Sequence, residues 1–271
     1  MPPLPISFLS DYGSADEFAG VCRAVIGRIA PGATVLDLTH GIRRHAIAEG
    51  AAVLANALPY TPPGVHLAVV DPGVGSPRRA VAVRVAAEDR LLVGPDNGLL
   101  GPAIAALGGA VDAADISLSG FRLEPVSVTF HGRDLFAPVS AHLASGAPLA
   151  DAGEPLDPAT LDAGEASRAE IAGGRVVAHA LYVDRYGNVA LDVEHARLPE
   201  TGLRLGRGVR VETAQAGLDA VYSLTFSDVA DGRLILYEDA YRKLALAVNR
   251  GSAAELLGLA TGDEVVLRPA A

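Results

Sequence analysis

The chain has 271 residues, half of them hydrophobic and 20% charged, with 30 Gly and 18 Pro. That composition excludes disorder and a coiled coil and suits one large or two modest globular domains. A net charge of −10 and a pI near 5.1 would repel a phosphate backbone or an anionic bilayer, so neither nucleic acid nor membrane is expected as a partner.

One cysteine, Cys22, leaves no internal disulfide and no cysteine metal cluster. Apolar runs break before the ~18 residues of a spanning helix, and no basic leader opens the chain. The expected location is the cytoplasm. Trp is absent and Lys243 is the single lysine, which removes the lysine-bearing phosphate loop and nearly all Schiff-base chemistry.

In chain order, Ile6 to Ser10 is a short apolar run ending at Asp11-Tyr12-Gly13. Phe18, Val21, Val25, Ile26 and Ile29 then share a helical face that Pro31-Gly32 closes. Thr34 to Leu38 reads as a strand, Ala46 to Leu58 as a helix and Val65 to Val70 as a third strand running into Asp71-Pro72-Gly73-Val74-Gly75. Ala80 to Val85 and Leu91 to Val93 are further strands, the second ending at Gly94-Pro95-Asp96-Asn97-Gly98, and Leu135 to Leu143 is a helix. Strands alternating with helices predict an α/β N-terminal domain with a mostly parallel sheet flanked by helices, over residues 1–150.

From Gly146 to Ala169 the chain is rich in Ala, Gly, Pro and Asp without apolar periodicity, so residues 151–170 read as a linker. Beyond it, 175–182, 189–193, 209–213, 234–237, 244–248 and 264–267 are short β-like runs, with one helical stretch at Ala253 to Leu259. They predict a smaller, antiparallel, β-rich C-terminal domain over residues 171–271.

Ligands of α/β sheets bind beyond the carboxyl ends of the strands, and four polar clusters stand there. They are Asp11-Tyr12-Gly13, Thr39-His40-Gly41, Asp71 to Gly75 with Arg78, and Gly94 to Gly98. A fifth, Phe130-His131-Gly132-Arg133-Asp134, opens a helix. Each alone reads as a turn or a helix cap; all of them at the ends of one sheet read as a site. No GxGxxG follows the first strand and no GxSxG elbow occurs. The seven histidines lack metal-ligand spacing. His66 and His179 lie inside apolar strands and read as filler, whereas His131 stands at a helix mouth. Arg133-Asp134 reads as a structural pair, with the acid near the positive end of the helix dipole.

Five motifs in order, Asp71-Pro-Gly-Val-Gly-Ser-Pro-Arg78-Arg79, Gly94-Pro-Asp-Asn-Gly98, Thr129-Phe-His131-Gly-Arg-Asp134, Asp184-Arg-Tyr-Gly-Asn188 and Ala247-Val-Asn-Arg-Gly-Ser252, resemble the S-adenosyl-L-methionine hydroxide adenosyltransferases. These are the adenosine-forming S-adenosylmethionine hydrolases, relatives of fluorinase and chlorinase. The resemblance covers nearly the whole chain. It implies a homotrimer whose sites lie between the N-terminal domain of one subunit and the C-terminal domain of the next, with no metal or cofactor. It implies an Asp71, Arg78, His131 catalytic set acting on water. It further implies Asp11 at the ribose hydroxyls, Asp16 and Asp184 at the methionine ammonium, and Tyr186 and Asn188 at adenine with Phe226 stacking. Asn249 and Arg250 would hold the methionine carboxylate. Halogenases carry tyrosine or other residues at the Asp and His positions, and the fluorinase has serine at the position of Gly132. The resemblance therefore points to S-adenosyl-L-methionine plus water giving adenosine and L-methionine. A 5′-halogenase or a non-catalytic sensor of adenosine or S-adenosylmethionine on the same scaffold is the alternative. The chain departs from the family pattern at Asp239-Ala240-Tyr241-Arg242, at His45, where halogenases place a tryptophan, and at Ala190, where an aromatic is common.

The chemistry is consistent with these residues. A sulfonium leaves without protonation, so the protein has to hold water in line with C5′ and sulfur. A carboxylate and an imidazole beside the water can accept its proton, with Arg78 fixing the carboxylate. Without the resemblance, Asp71 and Arg78 read first as a turn carboxylate with a surface ion pair.

Overall fold

The computed structural model describes residues 2–164 and 169–270. Its contacts divide into two units, Met1–Ala166 and Ser167–Ala271.

The first unit runs β1 (Ile6–Ser10), α1 (Phe18–Ile29), β2 (Val35–Thr39), α2 (Ile47–Ala57), β3 (Val65–Val69), β4 (Ala80–Val85), β5 (Leu91–Pro95), α3 (Gly101–Ala106), β6 (Ala110–Asp115), α4 (Ala137–Ala144) and β7 (Glu154–Pro155). The strands form one sheet in the order β2-β1-β3-β5-β4-β6-β7. From β2 to β5 the neighbours are parallel; β4, β6 and β7 continue antiparallel. β1, β3 and β5 are buried along their whole length, because helices cover both faces and leave no polar side to the strands. One core joins Ile6, Phe8, Leu67 and Val93 to Cys22 and Ile26 of α1 and Val139 of α4. The other joins Leu9, Ala68, Val70 and Leu92 to Leu54 of α2 and Ile104 of α3.

α4 begins irregularly. Residues Gly132–Phe136 form a π-helical turn, with the Ala137 N–H donating to Gly132 O. Pro138 accounts for this: it has no N–H to give to Asp134 O, four residues back, and that carbonyl accepts from Leu123 N at 2.8 Å instead. Such turns recur at functional sites, and His131 stands immediately before this one.

The second unit contains β8 (Glu170–Ala172), β9 (Arg175–Val183), β10 (Val189–Glu194), β11 (Gly208–Glu212), β12 (Gly217–Tyr222), β13 (Leu234–Glu238), β14 (Lys243–Val248), α5 (Ala253–Leu257) and β15 (Glu264–Pro269). The order is β10-β14-β13-β12-β11-β15-β9-β8, and β10 also pairs with β9. That pairing closes seven strands into a barrel, with β8 added at the side of β9. Every pair is antiparallel except β12–β13. Val176, Leu191, Val211, Leu236, Leu246 and Leu267 fill the interior.

The fold class follows the expectation, an α/β unit before a β-rich one. Part of the stretch expected as a linker is folded. β7 pairs with β6, Leu156 N donates to Ala113 O, and Asp162 N donates to Asp96 Oδ1. Residues up to 164 therefore belong to the first unit; 165–168 lie outside the described residues. Among the described residues no helix is long and apolar enough to cross a membrane.

Candidate active site

The first unit brings Asp71, Arg78 and His131 into one hydrogen-bonded string. Asp71 follows β3, Arg78 precedes β4, and His131 precedes the π-helical turn. The loop between the first two doubles back through turns closed by Val74 N to Asp71 O and Ser76 N to Gly73 O. It needs glycine: Gly75 adopts φ +80°, and a β-carbon there would lie 2.7 Å from Val128 O. The loop thus rests on the strand of chain that leads to His131.

Arg78 Nε donates to Asp71 Oδ1 at 2.8 Å, and Nη2 donates to Asp71 Oδ2. This is the two-pronged geometry that suits guanidinium and carboxylate. Nη2 also donates to His131 Nδ1 at 3.1 Å. A guanidinium has no acceptor, so Nδ1 is the acceptor and the neutral imidazole carries its proton on Nε2. Burial first, and then the Arg78 charge, hold His131 below the ordinary histidine range. The Asp71 and Arg78 side chains are only 6% and 11% exposed, unlike a solvated surface pair. The Arg78 guanidinium also lies over the Phe136 ring, 5.3 Å from its centre.

Asp11 stands at the end of β1, its Oδ2 accepting from His45 N at 3.0 Å. Gly13 N donates to His40 O at 2.7 Å, and Ser10 Oγ bonds His40 Nδ1 at 2.8 Å. These contacts tie the ends of β1 and β2 together and fix Asp11. Asp16 is exposed on the way to α1. Asp134 is 2% exposed; burial alone would raise its pKa, but hydrogen bonds from Arg133 and Ser127 N outweigh that and hold it low. It is structural, as expected. Burial pushes the Cys22 thiol up to about 12, which leaves it unreactive. His66 is buried, with Nδ1 on Ser7 Oγ and Nε2 accepting from Arg90. The Gly94–Gly98 cluster is scaffolding: Asp96 accepts from Arg79 Nε, and Asn97 spans Val70 O and Leu99 N.

In the second unit, Asp184 closes the β9–β10 turn. Its carboxylate accepts from Tyr186 N, Asn188 N and Asn188 Nδ2 at 2.8–2.9 Å. Asp184 and Asn188 line a cavity of about 160 Å³ together with Tyr182, Tyr237, Asp239 and Tyr241. Tyr186 is exposed, and Phe226 packs on Tyr237 with ring centres 5.2 Å apart. Asn249 Nδ2 donates to Val229 O, and Arg250 Nη1 donates to Asp231 Oδ2. The Arg250 side chain is exposed. Each unit thus gathers its own share of the expected residues. Tyr182 and Tyr237 carried no signal in the chain, because the cavity they line is built by residues distant from them in sequence. Among the described residues no three His, Cys, Asp or Glu side chains are grouped to hold a metal ion.

The family model of the SAM hydroxide adenosyltransferase N-terminal domain matches residues 6–153, and that of the C-terminal domain matches residues 178–266. The chain belongs to the SAM hydroxide adenosyltransferase family. It is 48% identical to an (R)-S-adenosyl-L-methionine hydrolase of Salinispora tropica, over 98% of both chains. It is 39% identical to an enzyme of the same name from Thermus thermophilus, over 97% of this chain and 99% of that one. A fluorinase of Nocardia brasiliensis is more distant, at 27% identity over 97% and 96%. Among solved structures, an uncharacterized conserved protein of Thermotoga maritima superposes with a TM-score of 0.89 at 33% identity, covering 97% of this chain and 99% of that one. The Asp71–Arg78–His131 string is therefore set in a SAM hydroxide adenosyltransferase scaffold along its whole length.

Proposed function

We propose that the protein hydrolyses S-adenosyl-L-methionine to adenosine and L-methionine, by direct attack of water on C5′. The observation that carries this is the Asp71–Arg78–His131 string in a chain 48% identical to a protein named (R)-S-adenosyl-L-methionine hydrolase. The (R) sulfonium epimer is accordingly the proposed substrate.

In the proposed step the water oxygen bonds to C5′ as the C5′–S bond breaks. The electron pair passes to sulfur, which leaves as the neutral thioether of methionine. The reaction calls for no metal or cofactor, because the sulfonium departs without acid assistance. The water proton passes to Asp71: Arg78 engages each of its oxygens once, and a carboxylate oxygen can accept again. His131 has its Nδ1 engaged by Arg78 and presents Nε2–H, a donor to the attacking oxygen. This divides between two residues the proton-accepting task that sequence reading gave to both. Arg78 orients the pair in a shielded setting where fixed dipoles act strongly.

Asp11 is proposed to hold the ribose hydroxyls, Asp16 and Asp184 the ammonium, Tyr186, Asn188 and Phe226 the adenine, and Asn249 and Arg250 the carboxylate. Asp184 and Asn188 have the best support, since they line the cavity of the second unit. We further place the enzyme in the cytoplasm as a homotrimer with sites shared between subunits. Incubation with S-adenosylmethionine, with and without chloride or fluoride, followed by chromatography tests the reading. Adenosine formed at a halide-independent rate is expected; a halogenated nucleoside, or no turnover, contradicts it.

A further inference from the structure

Tyr12 lies next to the proposed site but has been given no part in it. It follows Asp11 at the end of β1. Its ring is held on three sides by aromatic neighbours: edge-on to Phe8 and Phe130, with centres 6.5 and 5.8 Å away, and tilted against Phe18 at 5.9 Å. So braced, the ring has little rotamer freedom and the hydroxyl has a fixed place. That place is against Gly132, the residue after His131: a β-carbon at 132 would fall 2.0 Å from Tyr12 Oη. The φ of Gly132 is not in the left-handed region. The glycine is required here by space, because the phenol hydroxyl fills the room of its missing side chain.

The surroundings of the hydroxyl are charged. Burial first, then Cys22, and then Asp11 and Asp71 raise the Tyr12 pKa well above its usual value, against the opposing Arg78. The phenol is therefore a neutral O–H, a donor, within the field of the very groups proposed to handle water. Among the described residues its Oη has no hydrogen-bond partner in the protein. A half-enclosed hydroxyl normally finds one.

On the hydrolase reading, on which this inference rests, we propose that Tyr12 is a further catalytic residue whose hydroxyl, seated over Gly132, donates a hydrogen bond to the nucleophilic oxygen. As Asp71 takes one water proton the oxygen gains a third lone pair, so that it can accept from both Tyr12 Oη–H and His131 Nε2–H while it bonds to C5′; its second proton stays on the oxygen and becomes that of the 5′-hydroxyl. The bonds made and broken in the step are unchanged; Tyr12 keeps its proton throughout.

Tyr12→Phe removes the oxygen and retains the ring. Its kcat for adenosine formation should fall about tenfold, the value of one well-made hydrogen bond, with KM within twofold and Tm within a degree or two of wild type. Gly132→Ala should also lose activity and lower Tm, and adding Tyr12→Leu to it should recover part of the Tm, a coupling that a double-mutant cycle reads directly. An unchanged kcat in Tyr12→Phe, or a loss that lies wholly in KM, overturns the donor assignment. Additive Tm changes in the cycle overturn the seating of the hydroxyl over Gly132. A wild-type enzyme that forms no adenosine overturns the hydrolase reading and this step with it, whereas an active wild type with an unaffected Tyr12→Phe overturns this step alone.

Discussion

His131 carries a single ring proton, on Nε2. It is neutral because Nδ1 accepts from Arg78, and a second proton would set two donors face to face. Its pKa lies below the ordinary value of 6.5, owing to burial and to Arg78. The working neutral form therefore persists as pH falls through 6.5 and is lost only in more acidic solution. The profile of kcat/KM, which reports groups of the free enzyme, should be flat across pH 6.5 and fall on its acid side. A limb centred at or above 6.5 contradicts the assignment. His131→Ala should lower kcat by ~10²–10³-fold, the usual cost of losing one fixed donor to the reacting oxygen, with substrate still bound. A change in KM alone would remove His131 from the chemistry.

At the scale of elements, β3 has a functional end and a structural body. Asp71 follows it, while within it His66 is 1% exposed and neutral, Nε2 accepting from Arg90 and Nδ1 donating to Ser7. Burial, and then the Arg90 charge, lower its pKa from 6.5 to about 3. Between those values the unfolded chain binds a proton that the folded chain does not. Stability is thus fully present above pH 6.5 and is lost toward pH 3, by up to about 1.4 kcal/mol per pH unit. Urea unfolding across that range should show a flatter dependence on pH in His66→Gln than in wild type; equal slopes contradict this. Sequence reading treated His66 as filler, because nothing near it in the chain announces Arg90. The buried strands were legible, as their apolar runs follow directly from burial on both faces. β6, Ala-Val-Asp-Ala-Ala-Asp, was not: its residues are small or acidic, and pairing with β4 decides its state. β12 and the π-helical turn were missed for like reasons, the latter because the missing N–H of Pro138 acts through a carbonyl four residues earlier. In the site, Asp71, Arg78 and His131 were legible from their motifs, but the orientation that makes His131 a donor depends on where Arg78 reaches.

At the scale of the whole molecule, the residues proposed for water and ribose belong to the first unit and those proposed for adenine and carboxylate to the second. The proposed trimer, with each site shared between subunits, makes a sharp demand. His131→Ala and Asn188→Ala each disable every site when alone, but in a mixed trimer some sites receive both intact halves. A ring built by head-to-tail contacts closes in this way. Co-expression of the two variants should recover part of the wild-type activity. Mixed trimers that stay at the single-variant level would place each site within one chain.

The central claim is that water is the nucleophile and C5′ the carbon attacked. The most direct measurement is turnover of S-adenosyl-L-methionine in ¹⁸O-labelled water, with mass spectrometry of both products. The account predicts one heavy oxygen on the 5′-hydroxyl of adenosine and none in methionine; adenosine without the label, or label in methionine, would contradict it.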